Sequence, residues 1–377
     1  MSGKRKLSIG IVSSYPPRKC GVADYTFHLV ESLKRSGLFS FSLYPIEDAP
    51  LSYEGKVASR IKRGNCLSYE QAADSINRAP LDLVIIQHQF LLFGKEGICT
   101  SPFVSLLQKP SICTIHSIPS SPTKLEKKAL QALGEKAEKV VFMVNYASEI
   151  LSTVYGIPEK KLRVIYHPFP PLRRYPVTEA KRRLSMSNRF IIATFGLLRR
   201  EKGIENVLQA LKFIKEKNIL YLVLGATHPE HLKEEVDTYL GELKQLVNKL
   251  GLNDKVKFIH HYLNYEELGL YLSAMDVYIA PYQAQQQVSS GSITYALGMG
   301  KAVISTPFPF AREMLSKGRG ILVGFHSPRQ IARVLEELME NQEKLHKIER
   351  KVEEFIPHLS WNKAGEDYLK IIQECAG

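Results

Sequence analysis

Twelve short runs rich in β-branched and other apolar residues recur along this 377-residue chain, and a proline-rich break divides them six and six. Before the break they read LSIGIVSS, FSLYPI, LDLVIIQH, SICTIHS, KVVFMVN and LRVIYHP. After it they read FIIATFGL, LYLVLGA, KVKFIHHY, VYIAPY, KAVIST and GILVGF. Nearly continuous apolar runs are what strands of a parallel sheet show when both faces are buried. Helical stretches between them make βαβ units. The break, HPFPPLRRYPVTEAKRR, carries Pro168, Pro170, Pro171 and Pro176. So many prolines cannot continue a helix or a central strand. The pattern predicts an α/β protein of two doubly wound, Rossmann-like domains, residues 1–170 and 171–356. A last helix, about Trp361 to Cys375, has no strand after it.

Composition permits this architecture. A hydrophobic content of 44% with 24% charged residues is that of a globular protein, and the length suffices for two cores. Leu7 to Val12 reads as a buried strand and not as a signal peptide. No segment approaches the roughly 18 uncharged apolar residues of a membrane span. Cys20, Cys66, Cys99, Cys113 and Cys375 are scattered without a CxxC pair, which predicts reduced cytoplasmic thiols and no zinc site. The net charge of +13 is concentrated in residues 1–175. Three readings of it stay open: a solvated basic face, peripheral docking on the anionic inner face of a membrane, or an anionic substrate. No zinc finger or RNP-type strand marks a nucleic-acid binder, and no nucleic acid is expected.

In open α/β sheets ligands bind beyond the carboxyl ends of the strands, so chemistry is sought in the loops there. In SSYPPRKCGVADYTF, Gly21 opens an amphipathic helix. Helix N-termini offer unpaired N–H groups to anions, but a plain turn glycine fits as well. IIQHQFLLFGKEG and CTIHSIPSSP place His88 and His116 at the ends of neighbouring strands. Histidines there suit sugar hydroxyls or proton transfer. TFGLLRREKGIENV follows a strand with Gly196, Arg199, Lys202 and then a helix. Such cations suit a diphosphate, arginine as a fork and lysine as a point charge. VLGATHPEH adds Gly225 and His228.

The fifth loop, PYQAQQQVSSGSITYALGMGKAVIST, carries many small polar groups and no carboxylate. Ser290, Gly291 and Ser292 supply cap oxygens and free N–H groups to a helix from about Ile293 to Met299. With Gln287 they could hold a sugar and its phosphate by backbone dipoles and neutral groups. No DxD, HExxH or GxxxxGK[ST] motif occurs. A metal-bridged diphosphate is therefore not expected, and Arg, Lys and helix dipoles would carry the leaving-group charge.

Taken in order, PPRKCGVADYT, IQHQFLLFGKEG, TIHSIP, FGLLRREKG, LGATHPE, AMDVYIAPY and SSGSITYALGMGKAVIST resemble a retaining glycosyltransferase of family 4 with the GT-B fold. The resemblance covers nearly the whole chain. It implies two Rossmann-like domains facing across a cleft, acceptor on the first and nucleotide-sugar donor on the second. The final helix, within 357–377, would return to the first domain. By position, Arg199 and Lys202 match the pair that neutralises the donor diphosphate, and His116 matches a histidine near the transferred sugar. Gly21 matches the glycine loop near the donor phosphate. Gln287 to Ser292 match the loop whose amides hold sugar and phosphate, and Tyr262 borders the nucleobase. His88 and Gln89 fall with His116 on the acceptor side. The family's two glutamates eight positions apart are replaced here by Gln287 and Tyr295, and Tyr295 reads as a packing residue.

The resemblance implies transfer of a glucose- or mannose-type hexose from a UDP-, GDP- or ADP-linked donor to a saccharide or lipid-linked acceptor, as in polysaccharide biosynthesis. It implies no cofactor and no metal. The alternatives are a GT-B epimerase or phosphorylase, or a catalytically silent sugar-nucleotide binder.

Overall fold

The computed structural model describes residues 5–196, 198–225, 233–261 and 263–376. They form two compact units, Met1–Pro168 with Ser360–Gly377, and Phe169–Leu359.

In unit 1 the strands are β1 (Leu7–Ser13), β2 (Phe39–Glu47), β3 (Ile61–Lys62), β4 (Leu83–His88), β5 (Ser111–Ile115), β6 (Lys139–Phe142) and β7 (Leu162–Val164). Among the described residues they make one parallel sheet in the order β3-β2-β1-β4-β5-β6-β7. The chain starts at the centre, winds to one edge, and returns to wind to the other. Its topological switch point lies between β1 and β4. Six strands coincide with the apolar runs. The two-residue edge strand β3 is an addition, too short to leave a periodic pattern. The C-terminal helix Trp361–Ala376 packs on the helix Gly21–Lys34 and places Ala364, Tyr368, Ile371 and Ile372 in the same core as Ile9, Ile11, Leu29 and Leu33.

In unit 2, β8 (Phe190–Phe195), β9 (Ile219–Leu224), β10 (Val256–Ile259), β11 (Val277–Ala280), β12 (Ala302–Ser305) and β13 (Gly320–Leu322) form a parallel sheet in the order β10-β9-β8-β11-β12-β13. All six match the expected runs, and the switch point lies between β8 and β11. Burial on both faces explains the near-continuous apolar sequence, since helices cover each side. At the opposite end of these strands, Lys181 Nζ bonds both carboxylate oxygens of Asp276 at 2.7 and 2.8 Å, and Asp276 also accepts from Ile191 N at 2.6 Å. This pair ties the helix Val177–Arg183 to the starts of β8 and β11.

One expectation is corrected. Cys66 and Cys99 form a disulfide, with Cα atoms 4.8 Å apart across 33 residues of sequence. Cys66 opens the helix Cys66–Arg78 and Cys99 precedes the helix Thr100–Leu106, and these helices pack together. A pairing made by tertiary packing leaves no local spacing signal. Cys20, Cys113 and Cys375 are free thiols. Among the described residues no helix is long and apolar enough to cross a membrane.

Candidate active site

The carboxyl ends of β8 and β11 meet at the switch point of unit 2. After β8 the chain turns at Gly196, and a short 3-10 turn, Arg200–Lys202, leads into the helix Ile204–Leu211. Lys202 Nζ donates to the Tyr282 hydroxyl at 2.6 Å and reaches Ser292 Oγ at 3.5 Å. The same ammonium lies 4.2 Å from the centroid of the Tyr282 ring. Tyr282 also bonds Ser292 Oγ, lies 3.3 Å from the Tyr278 hydroxyl, and stacks on Phe308. Burial alone would raise the Tyr282 phenol, yet the Lys202 charge and the bonds from Lys202, Ser292 and Tyr278 bring it below its ordinary value. Burial holds the Tyr278 phenol well above its own.

The helix Gly291–Gly298 starts beside this cluster. Ser290 is its N-cap and accepts from Ile293 N at 3.4 Å, and Ser290 Oγ lies 3.3 Å from Ser292 Oγ. A helix start presents N–H groups and the positive end of the dipole where Lys202 already sits. Backbone crowding explains two glycines. A Cβ on Gly225, at the end of β9, would stand 2.0 Å from the Gly196 carbonyl oxygen. A Cβ on Gly203 would stand 2.1 Å from the Pro281 carbonyl oxygen.

Gly196, Lys202, Gly225, Ser290, Gly291 and Ser292 are thus brought together. Arg199 begins the 3-10 turn with an exposed side chain, while Arg200 is engaged by Glu242 at 2.7 Å. Gln287 turns its amide to the Ser289 carbonyl at 2.5 Å. Tyr295 stacks on Phe195 with ring centroids 5.8 Å apart. His228 and Tyr262 lie outside the described residues.

In unit 1 the β1–β4 switch point is lined differently. His116, just past β5, places Nε2 2.8 Å from Gln87 Oε1, and its ring meets Tyr25 edge-on at 4.9 Å. Tyr25 also meets the rings of His167 and Trp361. The Tyr25 and Tyr368 hydroxyls lie 3.1 Å apart, and Thr114 Oγ1 is 2.6 Å from Tyr368. Burial, then His167 and His88, push His116 down to about 3, so the imidazole is neutral. Gly21 is the first residue of its helix, exposed, with nothing within 4 Å of where a Cβ would stand.

The structure separates His88 from His116. Successive strand residues face opposite sides of a sheet. His88 is 0% exposed, bonds Thr100 Oγ1 at 3.1 Å, and packs on Phe90 and Phe93, the surroundings of a core residue. Gln89 caps the next turn by accepting from Leu91 N at 2.8 Å. Sequence reasoning passed over Tyr25, Gln87, Tyr282 and Tyr368. Gln87 and Tyr282 did leave a signal, being polar groups at the carboxyl ends of apolar strands. Among the described residues no three His, Cys, Asp or Glu side chains group to hold a metal ion.

Two doubly wound parallel sheets, of seven and six strands among the described residues, have the GT-B fold. Residues 178–355 match the glycosyl transferases group 1 family. A curated relative, mannosylfructose-phosphate synthase of Agrobacterium fabrum, is 28% identical over 139 residues, 35% of this chain and 30% of that protein's length. Two solved structures share the fold over their whole length. Anabaena Alr3699/HepE in complex with UDP and glucose has a TM-score of 0.77 at 16% identity, covering 98% of this chain and 100% of that one. Sucrose-phosphate synthase from Thermosynechococcus elongatus has a TM-score of 0.78 at 16% identity, covering 98% and 99%.

Proposed function

We propose that this chain is a retaining glycosyltransferase of family 4 that moves a hexose from a nucleoside diphosphate to a saccharide or lipid-linked acceptor without a metal ion. Unit 2 takes the donor and unit 1 the acceptor. The observation that carries the reading is the Lys202 ammonium, held by Tyr282 and Ser292 beside the start of the Gly291–Gly298 helix. Lys202 and the helix N–H groups stabilise the negative charge that grows on the departing diphosphate. Arg199, exposed at the same turn, closes on that diphosphate as a fork. The backbone at Gly291 and the hydroxyls of Ser290 and Ser292 hold sugar and phosphate oxygens. The leaving phosphate takes the acceptor proton, and neutral His116 orients a sugar hydroxyl.

The relatives support a hexose donor: one solved structure holds UDP and glucose, and others are named as sugar-phosphate synthases. UDP is therefore the first base to try. The test is thermal stability against UDP, GDP, ADP and their sugars in metal-free buffer. A ligand at 100 times its dissociation constant stabilises the folded state by about 2.7 kcal/mol. A rise with one base supports the reading, and no rise with any of them would remove it.

One observation favours a second reading. Neither Gln287 nor Tyr295 presents a carboxylate where the common family pattern has glutamate, and Tyr295 is stacked on Phe195. A silent sugar-nucleotide binder would show the thermal shift without turnover on any acceptor. The basic residues 1–175 also suit an anionic membrane face, which co-sedimentation with anionic against neutral vesicles would test.

A further inference from the structure

In GMGKAVIST a lysine stands between the glycine that follows a helix and the buried strand β12. Lys301 is only 5% exposed, although lysine is among the residues least often buried. A buried ammonium is costly unless its charge is answered. Its Nζ donates to the Ser273 carbonyl at 2.8 Å, in the last turn of the helix Tyr265–Ala274. That bond caps a helix end and uses one of three N–H groups. Asp276 attracts Lys301 from beyond ion-pair distance, but it is committed to Lys181. Burial outweighs the attraction and pushes the Lys301 ammonium down to about 8, so at neutral pH it still carries its charge.

Lys301 lines a cavity of about 470 Å³ at the amino ends of the unit 2 strands, opposite the candidate active site. Arg174, Glu349, Arg350 and Glu353 line it too, the last three from the helix Gln342–Glu353. Gly300 adopts φ +75°, and a Cβ there would collide with the Arg174–Glu353 pair. Arg174 engages both oxygens of Glu353, and His346 Nδ1 lies 3.0 Å from Glu349 Oε2. Both carboxylates are therefore taken. The Lys301 ammonium and the exposed Arg350 guanidinium have no acidic partner among the described residues.

We propose that this cavity is a second ligand site, which takes a phosphate dianion, as inorganic phosphate or a phosphate monoester, between Lys301 and Arg350. Two uncommitted cations answer a dianion, arginine as a fork to two oxygens and lysine as a point charge. A monocarboxylate would leave one of them unanswered. The volume falls within the roughly 300–1,000 Å³ of small-molecule sites, which leaves room for an organic group beside the phosphate. The helix Gly291–Gly298 starts beside Lys202 and is followed by Met299 and Gly300 in the wall of the cavity. The length of that helix, about 12 Å, separates the two sites. The inference stands whether or not unit 2 takes a nucleotide sugar.

The test titrates the full chain by calorimetry with inorganic phosphate and with glycerol 3-phosphate, in wild type, Arg350→Glu, Lys301→Met and Lys202→Ala. Arg350→Glu changes an exposed side chain with no protein partner, so its fold is secure even where Lys301→Met unfolds. Saturable binding is expected in wild type and, unchanged, in Lys202→Ala. Affinity should fall about 10-fold in Arg350→Glu and on the order of 30-fold or more in Lys301→Met. Tighter binding of glycerol 3-phosphate than of phosphate would assign the site to a monoester, and the reverse to the free ion. No saturable binding of either probe would overturn the inference. So would wild-type affinity in Arg350→Glu, or loss of binding in Lys202→Ala alone, which would put the phosphate at the candidate active site.

Discussion

Lys202 Nζ donates to the Tyr282 hydroxyl at 2.6 Å, and Tyr282 bonds Ser292 in turn. This joins three segments far apart in sequence: the turn after β8, the end of β11 and the first turn of the Gly291–Gly298 helix. The lysine is thereby held in one place before any ligand arrives. A cation fixed in advance stabilises developing charge without reorganising during the reaction.

Lys202→Ala should lower kcat by about 10²- to 10³-fold, the usual cost of removing one group that stabilises transition-state charge. The half-buried side chain lies at the edge of the core, so the thermal midpoint should move little. Steady-state kinetics beside a melting curve decide the point. Unchanged turnover in a folded variant would take Lys202 out of the reaction.

Tyr282→Phe keeps the ring stacked on Phe308 and under the ammonium but removes the hydroxyl. Lys202 and Ser292 each lose a buried partner, worth about 1–2 kcal/mol in total stability. Turnover should fall by roughly 10-fold, since 1.4 kcal/mol of lost positioning is a tenfold change in rate. Equal kcat in variant and wild type would reduce Tyr282 to a packing residue.

The same triad shows what sequence could and could not yield. Twelve of the thirteen strands announce themselves, because parallel strands buried on both faces must be apolar almost throughout. The two residues of Ile61–Lys62 carry no pattern to read. Lys202, Ser290 and Ser292 were legible because glycine and cap residues follow strands in a fixed chemical grammar. Tyr282 left only a positional signal, a polar group past the end of VYIAP, and its part in the cluster shows once the partner 80 positions away is known. His88 reads as His116 does, each a histidine at a strand end. Sheet register alone turns one into the aromatic core and the other toward Tyr25. The Cys66–Cys99 bridge escaped for the same reason, since two helices must pack before the sulfurs meet.

Gly225→Ala tests the backbone beneath the site. The added Cβ would stand 2.0 Å from the Gly196 carbonyl oxygen, so the turn after β8 must shift. Overpacking of this kind costs about 1–3 kcal/mol. The displaced turn carries Lys202, so the donor-induced thermal shift should shrink along with the resting midpoint. A variant with wild-type midpoint and wild-type donor shift would contradict the close approach.

Asp276→Asn addresses the far end of the same strands. Asp276 answers Lys181 and the Ile191 amide, with both charged side chains mostly buried. Leaving Lys181 without its carboxylate should destabilise unit 2 by about 3 kcal/mol. Urea denaturation measures this, and a change under 1 kcal/mol would show the pair to be dispensable. Donor affinity should persist in the folded fraction, because the pair sits away from the carboxyl ends.

Acid should destabilise the protein through its buried histidines. Burial pushes His88 down to about 3 from an ordinary value of 6.5, and His116 moves the same way. Above pH 6.5 the imidazole is neutral whether folded or not, and pH has no leverage through it. Between pH 6.5 and 3 the unfolded chain binds a proton that folded His88 refuses, so stability falls as the pH drops. For His88 the loss approaches about 1.4 kcal/mol per pH unit, or roughly 2 kcal/mol from pH 6.5 to pH 5. His88→Leu fills the same apolar site beside Phe90 and Phe93 without a titrating group. Its unfolding free energy should therefore decline less steeply between pH 6.5 and 5, by that amount. Urea midpoints at the two pH values provide the comparison, and parallel declines in variant and wild type would mean that folded His88 takes up its proton after all.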